Sequence, residues 1–210
     1  MHKFILIFCL WAQGFALQAE DIWPREVNEG ELEFLTSPVD AKVLHSDNQF
    51  IISADSLKTG WIKMYQCYRN IDPVAKVEVV YQYREMKNLA LVSTSGIAKA
   101  EVFNNSVQLE DVSHGATLCV KASVRNFYQE DNLSYTLKNG PFMRKFLDGY
   151  YPFLLSIEVV YPDNLLTLEA TEPEAQAGFN VNRLPGKVTL KAWFAGRLNT
   201  KLRFTAAELI

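Results

Sequence analysis

Alternation of residue character with a period of two runs through this chain, and no other feature limits its fold so sharply. In WIKMYQCYR, starting at Trp61, one face carries Trp61, Lys63, Tyr65, Cys67 and Arg69, and the other carries Ile62, Met64, Gln66 and Tyr68. In KVEVVYQYR, starting at Lys76, Val77, Val79, Tyr81 and Tyr83 oppose Glu78, Val80, Gln82 and Arg84. Successive side chains of a strand point to opposite faces, whereas a helix of period 3.6 would scatter both sets around its circumference. Further runs of this kind are QFIIS, NLALVS, AEVF, SVQLE, ATLCVKASV, FLLSIEVVY, LLTLEA, GFNV, KVTLKAWF and TKLRFT. Turn chemistry separates them at Met86-Lys87-Asn88, Asn104-Asn105, Ser113-His114-Gly115, Pro162-Asp163-Asn164 and Pro185-Gly186. Many short, closely spaced strands predict an all-β fold of antiparallel, sandwich-like sheets.

An internal echo suggests how the strands are grouped. EVVY occurs at 78–81 and again at 158–161, each time followed by a turn and an LxL strand, so that blocks 77–126 and 157–206 match in length and order. Read as a duplication, the chain is two related lobes, 20–128 and 129–210, with residues 139–152 in the connection. That connection, NGPFMRKFLDGYYP, reads as one short helix. Asn139 or Gly140 caps it, Pro141 occupies its first turn and Gly149 ends it. Helical spacing pairs Phe142 with Phe146 and Met143 with Leu147 around Arg144, while Asp148 opposes the helix dipole and calls for a partner such as Arg144. So short a helix must dock, either as a plug between sheets or as a surface offered to a partner. The second reading makes Phe142, Met143, Arg144, Phe146, Leu147, Tyr150 and Tyr151 the candidate binding surface, because aromatic and Met side chains beside Arg are typical of interfaces.

The first residues, MHKFILIFCLWAQGFALQA, combine Lys3, an apolar run from Phe4 to Ala12 and small residues at Gly14, Ala16 and Ala19. This is the layout of a secretory signal peptide over 1–19, too short in its apolar run to span a bilayer. Without Lys3, 20 basic and 24 acidic residues leave a charge of 20 minus 24, or −4. So mild a charge predicts no nucleic-acid partner, and no later segment is apolar enough to cross a membrane. The expected location is the periplasm or the extracellular space. Of the three cysteines, Cys9 leaves with the signal, and Cys67 and Cys119 are expected to pair in an oxidising compartment, the alternative being two separate buried thiols. Paired cysteines within a tandem β pattern resemble immunoglobulin-like sandwiches at the level of architecture. Tyr81, fourteen residues after Cys67, stands nearest the place of the usual tryptophan.

Reactive groups are sparse. His45 and His114 both read as surface residues in turns, and neither HxxxH, CxxC, DxDxDG, GxSxG nor SxxK occurs, so neither a metal nor a cofactor is expected. Cys119 with His114 is conceivable as a nucleophile and base, but they lie five residues apart across a turn. Glu110 with Asp111, Glu130 with Asp131, and Glu172 with Glu174 read as solvated turn residues. The leading expectation is an exported, non-enzymatic protein that binds a protein or other envelope component through sheet edges or the 139–152 surface. The alternatives are a carrier or sensor holding an apolar small molecule or lipid between sheets, and a hydrolase without a recognisable motif.

Overall fold

The computed structural model describes residues 28–36 and 42–207; the expected signal peptide lies outside them. In chain order the first strands are β1 (Glu33–Phe34), β2 (His45–Ile51), β3 (Trp61–Ile71), β4 (Val74–Val80), β5 (Met86–Phe103), β6 (Ser106–Arg125), β7 (Phe127–Gln129) and β8 (Ser134–Phe142). They continue as β9 (Arg144–Phe146), β10 (Gly149–Tyr151), β11 (Phe153–Val160), β12 (Leu166–Glu172), β13 (Phe179–Leu184), β14 (Lys187–Ala195) and β15 (Leu198–Ala206). Helix α1 (Ala54–Thr59) joins β2 to β3. It starts where the Ser53 N–H donates to the Ser56 hydroxyl at 3.0 Å, and Gly60 ends it at a left-handed φ of 72°.

The expected all-β architecture is what the chain forms. A large sheet runs β1-β14-β11-β2-β3-β6-β4, with β13 also on β14 and β5 also on β6, and a second sheet runs β12-β15-β8-β7. Pairing is antiparallel except between β11 and β2, which run parallel. Alternation decides the packing. In the large sheet Phe50, Met64, Leu118, Val120, Leu155, Ile157, Val188 and Leu190 are buried on one face, and they share one core with Leu137, Leu166, Leu202 and Phe204 of the second sheet. Tyr161, just past β11, meets Phe204 edge-on at 5.1 Å, and Phe127 meets it at 5.9 Å.

Strands from both sides of residue 128 share the large sheet, since β2 lies between β3 and β11. The two echoing blocks are also paired differently. Residues 86–125 form one long hairpin, β5 with β6, whereas in the second block β12 pairs β15 in one sheet and β13 pairs β14 in the other. Ser113-His114-Gly115, expected as a turn between strands, lies within β6. There the register on β5 jumps from Ser95↔Thr117 to Ile97↔Val112, a bulge made feasible by Gly115 at φ 72°.

Cys67 and Cys119 are directly opposite on β3 and β6 and form a disulfide, with Cα atoms 4.1 Å apart. The bond joins neighbouring strands of one sheet on its half-buried outer face, whereas the immunoglobulin bridge crosses between sheets.

The largest departure is at 139–152. Phe142 continues β8, opposite Leu198, and β9 and β10 form a hairpin around Leu147 and Asp148, so no helix forms there. Aromatic residues fit a pleated surface, and Asp148-Gly149 supplies hairpin-turn chemistry. The hairpin also aligns Tyr150 with Lys145 and Tyr151 with Arg144 across the two strands.

Candidate functional site

Because β5 runs along nearly the whole of β6, β3 and β4 share the other edge of β6 end to end, joined by Asp72 and Pro73. The far edge of β3 is taken by β2, but β4 has no further strand partner among the described residues. Beside it lies a cleft of about 390 Å³. Val74, Val77, Glu78, Val79 and Val80 of β4 form one wall, and Pro141 to Phe146 form the facing wall. Leu44, just before β2, and Tyr68, Ile71 and Phe153 of the large sheet also contribute. The lining is mainly apolar, and its charged members, Asp72, Glu78, Arg144 and Lys145, balance in sign.

Arg144 holds the facing wall in place. Its Nε and Nη2 donate to the two carboxylate oxygens of Asp72 at 2.9 and 2.5 Å, and its Nη1 donates to the Pro152 carbonyl at 3.2 Å. The pair is largely shielded from water, with side-chain exposures of 18% for Arg144 and 29% for Asp72. The guanidinium also lies 5.6 Å from the ring centroids of Phe146 and Tyr151, which meet edge-on at 5.4 Å. The fork of Arg matches a carboxylate bidentately, so one residue ties β9 to the link between β3 and β4.

Tyr68 connects the cleft to a buried polar cluster. The Asn48 and Gln66 amides each donate to the Ser46 hydroxyl at 3.0 Å, and the Tyr68 hydroxyl lies against Ser46, Gln66 and Tyr81. Burial pushes the Tyr68 and Tyr81 hydroxyls well above the usual phenol range, so both stay protonated and neutral.

Of the residues expected to form a binding surface, Phe142, Met143, Arg144 and Phe146 line the cleft. Leu147 does not line it; it is fully exposed at the hairpin turn. Tyr150 and Tyr151 lie on β10 and brace the wall. Tyr150 sits 5.4 Å from both Lys145 and Arg197, and the Tyr151 hydroxyl donates to Asp148 at 2.6 Å. That bond answers the expectation that Asp148 needs a partner, and Tyr151 rather than Arg144 fills the role. Sequence reasoning missed Asp72, Tyr68 and β4 as parts of this site. The Asp-Pro pair interrupting two alternating runs was the available signal for an edge strand beginning at Val74.

Among the reactive groups elsewhere, the histidines are placed differently from expectation. His45 is in β2, not in a turn, and its Nε2 is 2.9 Å from the Ser156 hydroxyl across the parallel pair. Burial lowers its pKa below the ordinary 6.5, against the opposing influence of Asp47. The Asp47 carboxylate accepts from Arg69 at 2.8 Å, and the group lies on the outer sheet face, away from the cleft. Cys119 is in the disulfide and so is not a nucleophile for His114. Glu130 pairs with Lys138 at 3.0 Å, Asp131 accepts from the Leu133 and Ser134 N–H groups, and Glu172 is shared by Lys201 and Arg203. Among the described residues no helix is long and apolar enough to cross a membrane. Compared with protein-family models and with curated proteins, the chain matches none.

Proposed function

We propose that this protein binds an extended segment of another polypeptide along β4, with the segment's apolar side chains seated in the cleft. One observation carries this reading: Val77, Glu78, Val79 and Val80 all line the cleft in succession. Alternate residues of a strand face opposite ways, so four consecutive ones border a single cleft only when it lies along the strand's edge. The cleft therefore offers both elements of strand addition, namely unpaired main-chain groups for affinity and apolar sockets for specificity. The balanced charge of the lining favours an apolar segment over a strongly charged ligand. Export belongs to the same reading; its supports are the signal-like residues 1–19 and the Cys67–Cys119 bond, since disulfides persist in oxidising compartments.

A photo-activated cross-linking residue placed at Lys145, in the cleft wall, tests this against the same residue at Lys191, on the exposed face of β14. In cells producing the protein, position 145 is expected to yield a polypeptide adduct that also slows amide exchange over 74–80. Equal labelling at both positions, or an adduct that leaves β4 exchange unchanged, refutes strand addition. A second reading, an apolar small-molecule carrier, is favoured by the size of the cleft, which falls within the roughly 300–1,000 Å³ of ligand pockets. An apolar molecule that co-purifies with the protein and is lost with Phe146→Asp decides for it.

A further inference from the structure

Resting on the reading that β4 receives a strand, we propose that the strand is β4 of a second copy of this chain, paired antiparallel about Val77. The outer face of β4 carries Lys76 and Glu78, two residues apart. Antiparallel pairing centred on Val77 sets Lys76 opposite Glu78 of the second copy, and Glu78 opposite its Lys76. Centring on Lys76 or on Glu78 would instead oppose like charges, which destabilises a sheet. The same register sets exposed Val80 opposite Val74, Val79 opposite Ala75, and Val77 against itself on the two-fold axis. Every opposed pair is then apolar with apolar or cation with anion, the self-complementarity an isologous dimer requires.

The neighbouring strands already build this ladder. Lys99 of β5, Glu110 of β6 and Lys76 of β4 are in register, and the Lys76 ammonium lies 3.3 Å from the Glu110 carboxylate. Glu78 of the second copy continues the alternation of sign by one more rung. Other edges are poorer templates. Three register shifts interrupt β5, one interrupts β12, and β1 and β7 have two and three residues. Strand β13 is unbroken, but its residues, FNVNRL, include Arg183 and no carboxylate to oppose it. Strand β4 is regular, rich in valine and charged in a pattern that answers itself.

Sedimentation analysis of the chain with its disulfide intact provides the test, with thermal melts to establish that each variant is folded. The wild type is expected to dimerise, and Lys76→Glu and Glu78→Lys each to weaken the dimer about 10-fold, or about 1.4 kcal/mol. The double variant, Lys76→Glu with Glu78→Lys, restores opposite signs and should return to within about 3-fold of wild type. A short thiol cross-linker should join copies carrying Val77→Cys, on the axis, and not those carrying Gln82→Cys. A monomer at the highest soluble concentration, or a dimer indifferent to both charge reversals, overturns the proposal. If the chain is monomeric yet position 145 still cross-links to a different polypeptide, strand addition stands and only the second copy is refuted. If it is monomeric and position 145 captures nothing, both fail.

Discussion

Replacing Arg144 with Met should loosen the wall of the cleft, and the size of the effect follows from the contacts it removes. The substitution keeps most of the aliphatic stem but deletes two hydrogen bonds to the Asp72 carboxylate and one to the Pro152 carbonyl. Hydrogen bonds to charged groups contribute about 1.5–3 kcal/mol each, so the two to Asp72 set an upper bound of about 6 kcal/mol. At 29% exposure Asp72 regains part of its hydration once the guanidinium is gone. That reduces the expected loss to about 2–3 kcal/mol, against about 3–5 for breaking a fully buried pair. For a chain of this length the melting temperature should fall by about 4–12 °C. Urea unfolding of wild type, Arg144→Met, Asp72→Asn and the double variant closes a cycle whose coupling should be about 1–2 kcal/mol, well above the roughly 0.3–0.5 kcal/mol scatter of independent sites. Because the pair is largely shielded, the coupling should persist at high salt. A coupling within that scatter would mean that Arg144 does not hold β9 to the β3–β4 link, and the cleft would lose its stated support.

Replacing both cysteines, Cys67→Ala with Cys119→Ala, opens a closure spanning 52 residues, and the chain-entropy model gives a loss of about 4 kcal/mol. Unchanged urea unfolding would refute it. His45 gives a pH dependence of definite sign. Burial favours its neutral form, so the folded state binds the proton less tightly than the unfolded chain, whose histidine titrates near 6.5. Its contribution is whole above that pH and declines as the pH falls through 6.5 towards the lower folded value; His45→Gln should flatten the melting temperature across that window. Leu202→Ala, in the core, should cost about 2–5 kcal/mol. Its neighbour Lys201→Ala, on the outer face, should cost less than about 1 kcal/mol, and equal effects would contradict the assignment of faces.

Strand identity was legible in the sequence because alternation is a local property of the backbone: WIKMYQCYR, FLLSIEVVY and KVTLKAWF became β3, β11 and β14 with their periodicity intact. The pairing of Cys67 with Cys119 was legible as an expectation. Which face of β3 is buried was not, since Trp61, Tyr65 and Cys67 are as apolar as Ile62, Met64 and Tyr68. Only the second sheet, arriving from residues 127–206, selected the face with Ile62 and Met64. Phe142 and Phe146 satisfied helical spacing and strand propensity equally well. Docking of Phe142 beside Leu198, with Arg144 anchored to Asp72 seventy-two residues away, made the strand form win. The cleft is a further step removed from the sequence, because it exists where the edge of one strand passes a hairpin distant in the chain. Local chemistry determined what each segment can be; long-range contacts decided which faces, edges and neighbours it acquired, because burial is shared between segments and belongs to none of them alone.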